Sequence, residues 1–252
     1  MKNTVCMIIP VYKEKLSASE ERNVLWNIEK AIPMKIFFVG PRFLNLKYYK
    51  NKFPSCEFIG FADDYFRNIQ SYNRLMLEPF FYQRFQKFEY MCICQPDALI
   101  LGDYSKLCKI IKISFDYWGA PWYPSHEVRL YSSENEMISY FIDLYLKPYK
   151  IETGNGGLSL RHIEHTVRLL QKHFLIRKLW NQNEDYFFAI IGGWRDKKYR
   201  VAPRDKAMIF ALETKAKTLI YNKKYLPYGI HAYEIYYPEI MQEIMNGKMS
   251  NL

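Results

Sequence analysis

At 252 residues, with 49% hydrophobic and 17% aromatic content, the chain has ample material for a packed core, which excludes intrinsic disorder and leaves room for one large α/β domain or two small ones. A formal net charge of +10 points to anionic partners: nucleic acid, phosphate-bearing substrates or an anionic membrane surface. Five cysteines with no CxxC spacing argue against a disulfide framework or a zinc site and read as free, buried thiols in a reducing cytosol.

The opening "MKNTVCMIIPVYKEK" turns polar too soon for a signal peptide, and no later run reaches the ~18 apolar residues of a membrane span, so a soluble protein is expected. Residues 4–12 (TVCMIIPVY), almost continuously apolar, read as a fully buried first strand. Residues 17–32 read as a helix, with Ser17 or Ser19 as cap and Glu20 and Glu21 in the first turn. Residues 35–41 and 56–61 give two further strands, and 71–85 a helix broken at Pro79. The fourth strand lies in "FEYMCICQPDALIL" (88–101), where Gln95, Pro96 and Asp97 interrupt an otherwise apolar run. Strand and helix alternate over the first hundred residues, which argues for a mostly parallel central sheet flanked by helices. Further on, 115–123 reads as an aromatic strand, 154–162 as a turn followed by a short strand, and 163–174 and 184–191 as helices. With no repeat, low-complexity tract or linker in view, one domain is expected.

The interrupted strand carries the chemistry. In open α/β sheets ligands bind at the carboxyl ends of strands, and Asp97 falls at such an end. A carboxylate there suits a hard divalent cation, Mn²⁺ or Mg²⁺, that in turn holds a diphosphate. Pro96 would stop the ladder and turn the acid outward; a solvated turn residue is the bland alternative. Gly154, Gly156 and Gly157 in "ETGNGGLSLR" permit positive φ or close backbone approach to a ligand, or form a tight hairpin turn, and they lack the GxGxxG spacing of a dinucleotide loop. Asn183 is a natural N-cap, so Glu184 and Asp185 either favour a helix N-terminus or supply a general base. Asp63 and Asp64 form a second acidic pair, better read as solvated or capping. His162, His165 and His173 have helical spacing but no zinc signature. The basic tracts 195–200, 203–206 and 221–225 are interleaved with aromatics, yet no helix-turn-helix, RNP or zinc-finger pattern accompanies them, so nucleic acid is not the expected partner.

Seven segments in order, "IIPVYK" (8–13), "SYNRLML" with "FYQRF" (71–85), "YMCICQPDALIL" (90–101), "DYWGAPW" (116–122), "GNGGLSLR" (154–161), "NEDYFF" (183–188) and "YGIHAY" (228–233), give the chain a resemblance. It resembles a bacterial family of GT-A-type glycosyltransferases of cell-surface polysaccharide loci, formerly known only as a domain of unknown function. The resemblance implies a single GT-A-like (Rossmann-like) domain, with 5–101 as the nucleotide-sugar-binding half and 102–240 as the acceptor and catalytic half. It implies donor contacts from Pro10, Val11, Tyr12, Asn73, Gln95 and Asp97, with Tyr12 stacking on the base. It implies a sugar- or acceptor-facing loop of Asn155, Gly156, Gly157, Ser159 and Arg161, where Arg161 either forks a phosphate or serves as a structural ion-pair partner. Asp185 would act as base and Glu184 would orient the acceptor, with the two roles open to exchange. Asp97 and His231 would hold Mn²⁺ or Mg²⁺; a lone Asp97 in place of an Asp-x-Asp departs from the common GT-A pattern and weakens the metal expectation. The implied partners are a nucleotide sugar, UDP-linked first, and a glycan or lipid-linked glycan of lipopolysaccharide, O-antigen or capsule. The implied location is the cytoplasm and the inner face of the plasma membrane, whose anionic surface would also account for the basic charge. Transfer would be inverting, with retention left open. A sugar-phosphate nucleotidyltransferase and a basic nucleic-acid-binding module are the alternative functions.

Overall fold

The computed structural model describes residues 3–129 and 148–248. Strand β1 (Asn3–Pro10) is followed by helix α1 (Ala18–Lys30), β2 (Lys35–Pro41), α2 (Lys47–Lys52), β3 (Glu57–Phe61), α3 (Ile69–Met76), α4 (Pro79–Gln83) and β4 (Phe88–Cys94). The remaining strands are β5 (Leu99–Ile100), β6 (Tyr117–Val128), β7 (Tyr149–His162), β8 (Ala211–Leu212) and β9 (Gly229–Ile230), and α5 (Tyr104–Ile111) lies between β5 and β6. A six-stranded sheet has the order β3-β2-β1-β4-β7-β6, with β1 to β4 parallel and β7 antiparallel to both β4 and β6. A small sheet, β5-β9-β8, continues from the break after β4. The fold is α/β, with a mostly parallel central sheet flanked by helices.

The apolar run of β1 is explained by two covered faces. Val5, Met7 and Ile9 enter one core, with Phe38, Tyr49 and Trp118; Cys6 and Ile8 enter the other, with Phe37, Phe85 and Tyr117. Burial on both faces requires consecutive apolar residues rather than alternation. The α1 cap is Ser17, whose hydroxyl accepts from the Glu20 amide while Glu20 reaches back to the Ser17 amide. The helix expected over 71–85 does break at Pro79, which becomes the first residue of α4. All five cysteines are free, with Cys6, Cys92 and Cys94 buried. Among the described residues no helix is long and apolar enough to cross a membrane.

Two expectations are corrected. The glycine segment is not a hairpin turn: Gly154, Gly156 and Gly157 lie inside the 14-residue β7, and none has positive φ. Composition suggested a turn, but pairing with β4 and β6 keeps the segment extended. The helix at 184–191 is also shorter than its apolar pattern suggested, ending at Phe187 and continuing as a π-helical segment over Phe188–Arg195.

The break after β4 is built rather than frayed. Gln95 donates its amide to the Gly157 carbonyl at 2.9 Å, and the Ala98 amide closes a turn onto the Gln95 carbonyl at 2.9 Å. Two asparagines one helical turn apart on α1, each 1% exposed, satisfy the rest. Asn23 donates to the Pro96 carbonyl at 3.1 Å; Asn27 donates to the Ala98 carbonyl and accepts from the Ile100 amide, both at 2.8 Å. A buried backbone that leaves its ladder needs such partners, and this arrangement holds Asp97 at the mouth of a cavity.

Candidate functional site

The cavity has a volume of about 650 Å³ and lies where β1 and β4 end. Its walls come from five places: the end of β1, the Gln95–Asp97 turn, α3, the glycine stretch of β7 and the 183–185 turn, with His231 at its base. Of the donor, acceptor, base and metal residues that the resemblance implied, all line it except Ser159 and Arg161.

Pro10, Val11 and Tyr12 form one edge. Val11 is held by its amide to the Val39 carbonyl at 2.8 Å, while Tyr12 projects outward at 63% exposure. Lys13, which the sequence reading passed over, also lines the cavity and is paired with Glu20 at 2.9 Å. Asn73 donates to the Asn183 side chain at 3.1 Å, tying α3 to the acidic turn. Asn183 stands at the N-cap position, but its side chain makes no cap hydrogen bond and is committed to Asn73 instead.

Asp97, His231, Gln95 and Glu213 form a chain of polar contacts. His231 Nε2 lies 3.3 Å from Asp97 Oδ1 and 3.2 Å from Gln95 Oε1, and Nδ1 lies 3.1 Å from Glu213 Oε1. Burial favours the neutral ring, but the two carboxylates outweigh it and push the imidazole pKa up to about 9. Burial likewise acts to raise Asp97; His231 first, and Lys13 at longer range, overcome this and hold it below its usual value. Beyond its 3.3 Å contact with His231, the buried Asp97 Oδ1 has no polar partner. Glu213 is a site residue that motif reading missed. It follows β8 as His231 follows the neighbouring parallel strand β9, so the strand-end rule that found Asp97 also points to it.

The acidic turn divides into two unlike carboxylates. Glu184 is buried, and its Oε1 meets Arg161 Nη2 at 2.6 Å. Asp185 is partly open to the cavity and accepts from the Tyr186 amide at 2.8 Å. Protein on most sides, and then the Glu184 charge, push the Asp185 carboxyl well above its usual range. Arg161 is fully buried. It donates to Tyr82 Oη at 2.7 Å and to Ser159 Oγ at 3.2 Å, and its guanidinium lies 4.8 Å from the Phe188 ring centre. Ser159, also fully buried, donates to the Gly156 carbonyl at 3.0 Å. Direct ligand contact by Ser159 and Arg161 is therefore corrected: both stand behind the wall, and Arg161 is the ion-pair partner.

The glycines act through close approach. A Cβ on Gly156 would fall 2.4 Å from Glu184 Oε1, and one on Gly157 would fall 2.0 Å from His231 Nε2. Asn155 donates to Glu213 and accepts from the Gly157 amide at 3.1 Å. The remaining acid and histidine candidates lie elsewhere. Asp64 pairs with Arg67 on the surface and Asp63 accepts weakly from the Phe43 amide. His165 pairs with Asp116 at 2.6 Å and His173 with Asp196 at 3.3 Å. Among the described residues no group of three or more His, Cys, Asp or Glu side chains forms a metal cage. The Asp97–His231–Gln95 contacts fit a lesser demand: their 3.2–3.3 Å separations approach the ~3 Å edge between neighbouring ligands of an octahedral ion, and Asp97 Oδ1 has no other hydrogen-bond partner.

A family model described as "Protein of unknown function (DUF5672)" matches residues 55–231, and the chain belongs to that family. Among solved structures, the apo crystal structure of mouse xyloside xylosyltransferase 1 superposes with a TM-score of 0.54 at 12% identity, covering 90% of this chain and 97% of that one. The apo structure of the WbbM bifunctional glycosyltransferase gives a TM-score of 0.53 at 13% identity, covering 92% of this chain and 46% of that one. At these identities the likeness establishes the fold. No curated protein matches the chain in sequence.

Proposed function

We propose that this DUF5672 protein is a glycosyltransferase that moves a sugar from a nucleotide donor, UDP-linked first, to a hydroxyl of a cell-surface glycan or its lipid-linked precursor. The observation that carries the proposal is the meeting of the Asp97–His231 pair and the Glu184–Asp185 turn in one cavity at the strand ends. The glycosyltransferase folds of the two structural neighbours raise the expectation without deciding the activity.

In this reading Tyr12, exposed at the rim, offers a face for the base, and Lys13 and the Asp97 turn face the diphosphate. Asp97 and His231, with Gln95, would hold Mn²⁺ or Mg²⁺, an ion that commonly takes only one or two protein carboxylates and completes its shell from phosphate and water. When bound, that ion would supply charge stabilisation for the departing nucleoside diphosphate. Glu213 keeps the His231 ring oriented through Nδ1, as carboxylates commonly do behind ligating imidazoles. Glu184 is committed to Arg161, which leaves Asp185 to receive the acceptor's proton. As the acceptor oxygen bonds to the anomeric carbon, its proton passes to Asp185. The bond from that carbon to the phosphate oxygen breaks, and its electron pair leaves on the diphosphate. A carboxyl whose pKa is raised from the ordinary range is better matched to that transfer near neutral pH. One displacement from the opposite face inverts the anomeric centre. The basic charge and the absence of a membrane-spanning helix among the described residues suit work at the inner face of the plasma membrane.

The test is a thermal-shift and turnover panel of UDP-, GDP- and dTDP-sugars, with and without Mn²⁺, on the wild type and Asp97→Asn. One donor should stabilise the wild type in a Mn²⁺-dependent way and be turned over, whereas Asp97→Asn should keep its fold and lose turnover. Wild-type turnover by Asp97→Asn would remove Asp97 from the donor site, and undiminished turnover after exhaustive EDTA treatment would remove the metal.

A further inference from the structure

A second cavity of about 710 Å³ lies beside the first, and Arg67 and Asn68 line both. Helix α3 is the partition. Ile69, Tyr72 and Asn73 face the first cavity, whereas Ser71 and Arg74 face the second. The far wall of the second carries Glu78, Arg177, Lys178 and Trp180.

Its charges do not balance. Arg67 pairs with Asp64, and Arg177 pairs with Glu78 at 2.8 Å. Arg74 and Lys178 have no acidic partner among the described residues, and Lys178 Nζ instead sits 4.6 Å from the Phe174 ring centre. Arg177 is only 9% exposed, yet its Nε is buried with no hydrogen-bond partner. Its Nη1 is committed to Glu78 and to the Leu77 carbonyl, so the cations left for a ligand are Arg74 and Lys178. The cavity also has an aromatic wall. Trp180 is half-buried and fixed: its indole donates to the Asn183 carbonyl at 3.0 Å and its ring meets Phe187 edge-on at 5.3 Å. Asn183 itself lines the first cavity, one residue before Glu184. The turn that presents the acids therefore also carries the wall of the basic cavity.

We infer that the second cavity seats the acceptor saccharide, and that this saccharide carries an anionic group, a carboxylate or a phosphate. Trp180 offers its ring to a sugar face; Arg74 and Lys178 meet the anion. The inference rests on the glycosyltransferase reading for the word acceptor, but the binding of an anionic saccharide stands without it. It moves the acceptor away from the glycine stretch of β7, whose Cβ space is filled by Glu184 and His231.

The experiment titrates the full chain by calorimetry with three probes: a hyaluronan tetrasaccharide, which carries uronates; glucose 6-phosphate; and neutral maltotetraose. At least one anionic probe should bind about tenfold or more tighter than maltotetraose. Arg74→Gln and Lys178→Gln should each weaken that probe by about tenfold, the scale of one charge-assisted hydrogen bond, and leave the UDP affinity unchanged. Whichever anionic probe binds identifies carboxylate or phosphate as the recognised group. Equal binding of the neutral probe, or full affinity in both variants, overturns the inference. Competitive displacement of the anionic probe by UDP also overturns it, because the probe would then occupy the first cavity. A failure of UDP and of every nucleotide sugar to bind, with Arg74-dependent saccharide binding intact, would instead overturn the donor reading.

Discussion

Gly157→Ala isolates one steric demand. The backbone at 157 has no positive φ, so alanine costs nothing in the main chain; the whole effect comes from the added methyl. That methyl would lie 2.0 Å from His231 Nε2 and 2.4 Å from both Cδ2 and Cε1. Ordinary contact begins near ~3.4 Å between such atoms, so ring or strand must give by roughly 1.4 Å. The strand is poorly placed to yield: the Gly157 carbonyl accepts from Gln95, its amide is bound to Asn155, and Leu158 pairs with Cys94 in the sheet. The ring must therefore retreat, lengthening its 3.3 Å contact with Asp97. Overpacking of this size costs about 1–3 kcal/mol, and a ~1 Å misplacement at a reacting site costs on the order of 10²-fold in turnover. The assays are urea unfolding and donor turnover. His231→Ala supplies the control: if the clash acts through the ring, Gly157→Ala should be nearly neutral for stability in the His231→Ala background, giving a coupling energy close to the single-variant cost. Gly193→Ala, where the added carbon would meet only Val201 at 3.5 Å, should leave turnover unchanged. Wild-type turnover and stability in Gly157→Ala, or equal destabilisation with and without His231, would refute the reasoning.

Asp185→Asn separates a catalytic acid from a helix cap. A raised folded pKa means that the native state holds its proton more tightly than the unfolded chain. The stability this gives is present below the unfolded pKa and is lost as pH rises through the folded one. The amide variant should therefore gain stability relative to the wild type between pH 5 and 8 while losing about 10²–10⁴-fold in turnover; a stability loss with turnover intact would leave Asp185 as a helix start. Asn27→Leu leaves the Ala98 carbonyl and the Ile100 amide unpaired in the core, at about 1–3 kcal/mol for each group, and should lower the urea midpoint accordingly without changing the m-value; a change under 1 kcal/mol would show that water or rearrangement replaces the asparagine.

The parallel part of the sheet was legible because its physical requirement is written in consecutive residues. β1 is covered on both faces and so is apolar at every position, and the Ser17–Glu20 box announces α1 in four letters. Asp97 was legible for the same reason, as a carboxylate where an apolar run stops. Long-range causes left no local trace. Nothing in "GNGG" distinguishes a turn from a strand whose Cβ positions are taken by Glu184 and His231, residues 28 and 74 positions further on. Glu213 follows a two-residue strand, too short to carry a periodicity. α2, with "KYYKNK", is six residues of mostly polar sequence whose one fully buried side chain is Tyr49, with Tyr48 packed beside it.

The Arg161–Glu184 pair is where the fold and the site meet. Burying both charges is expensive, and an apolar pair of similar shape often serves stability as well or better. Here the guanidinium is enclosed by Tyr82, Tyr117 and Phe188, with every described contact directed inward. It engages the Glu184 carboxylate directly, so two adjacent acids are given different environments by one cation. Glu184 in turn is among the causes that raise the proton affinity of Asp185. Removal of either partner strands the other charge in the core, at about 3–5 kcal/mol. An arrangement that costs this much, and that sets the two carboxylates of one turn apart, is what the proposed proton transfer at Asp185 requires and what the start of a four-residue helix does not.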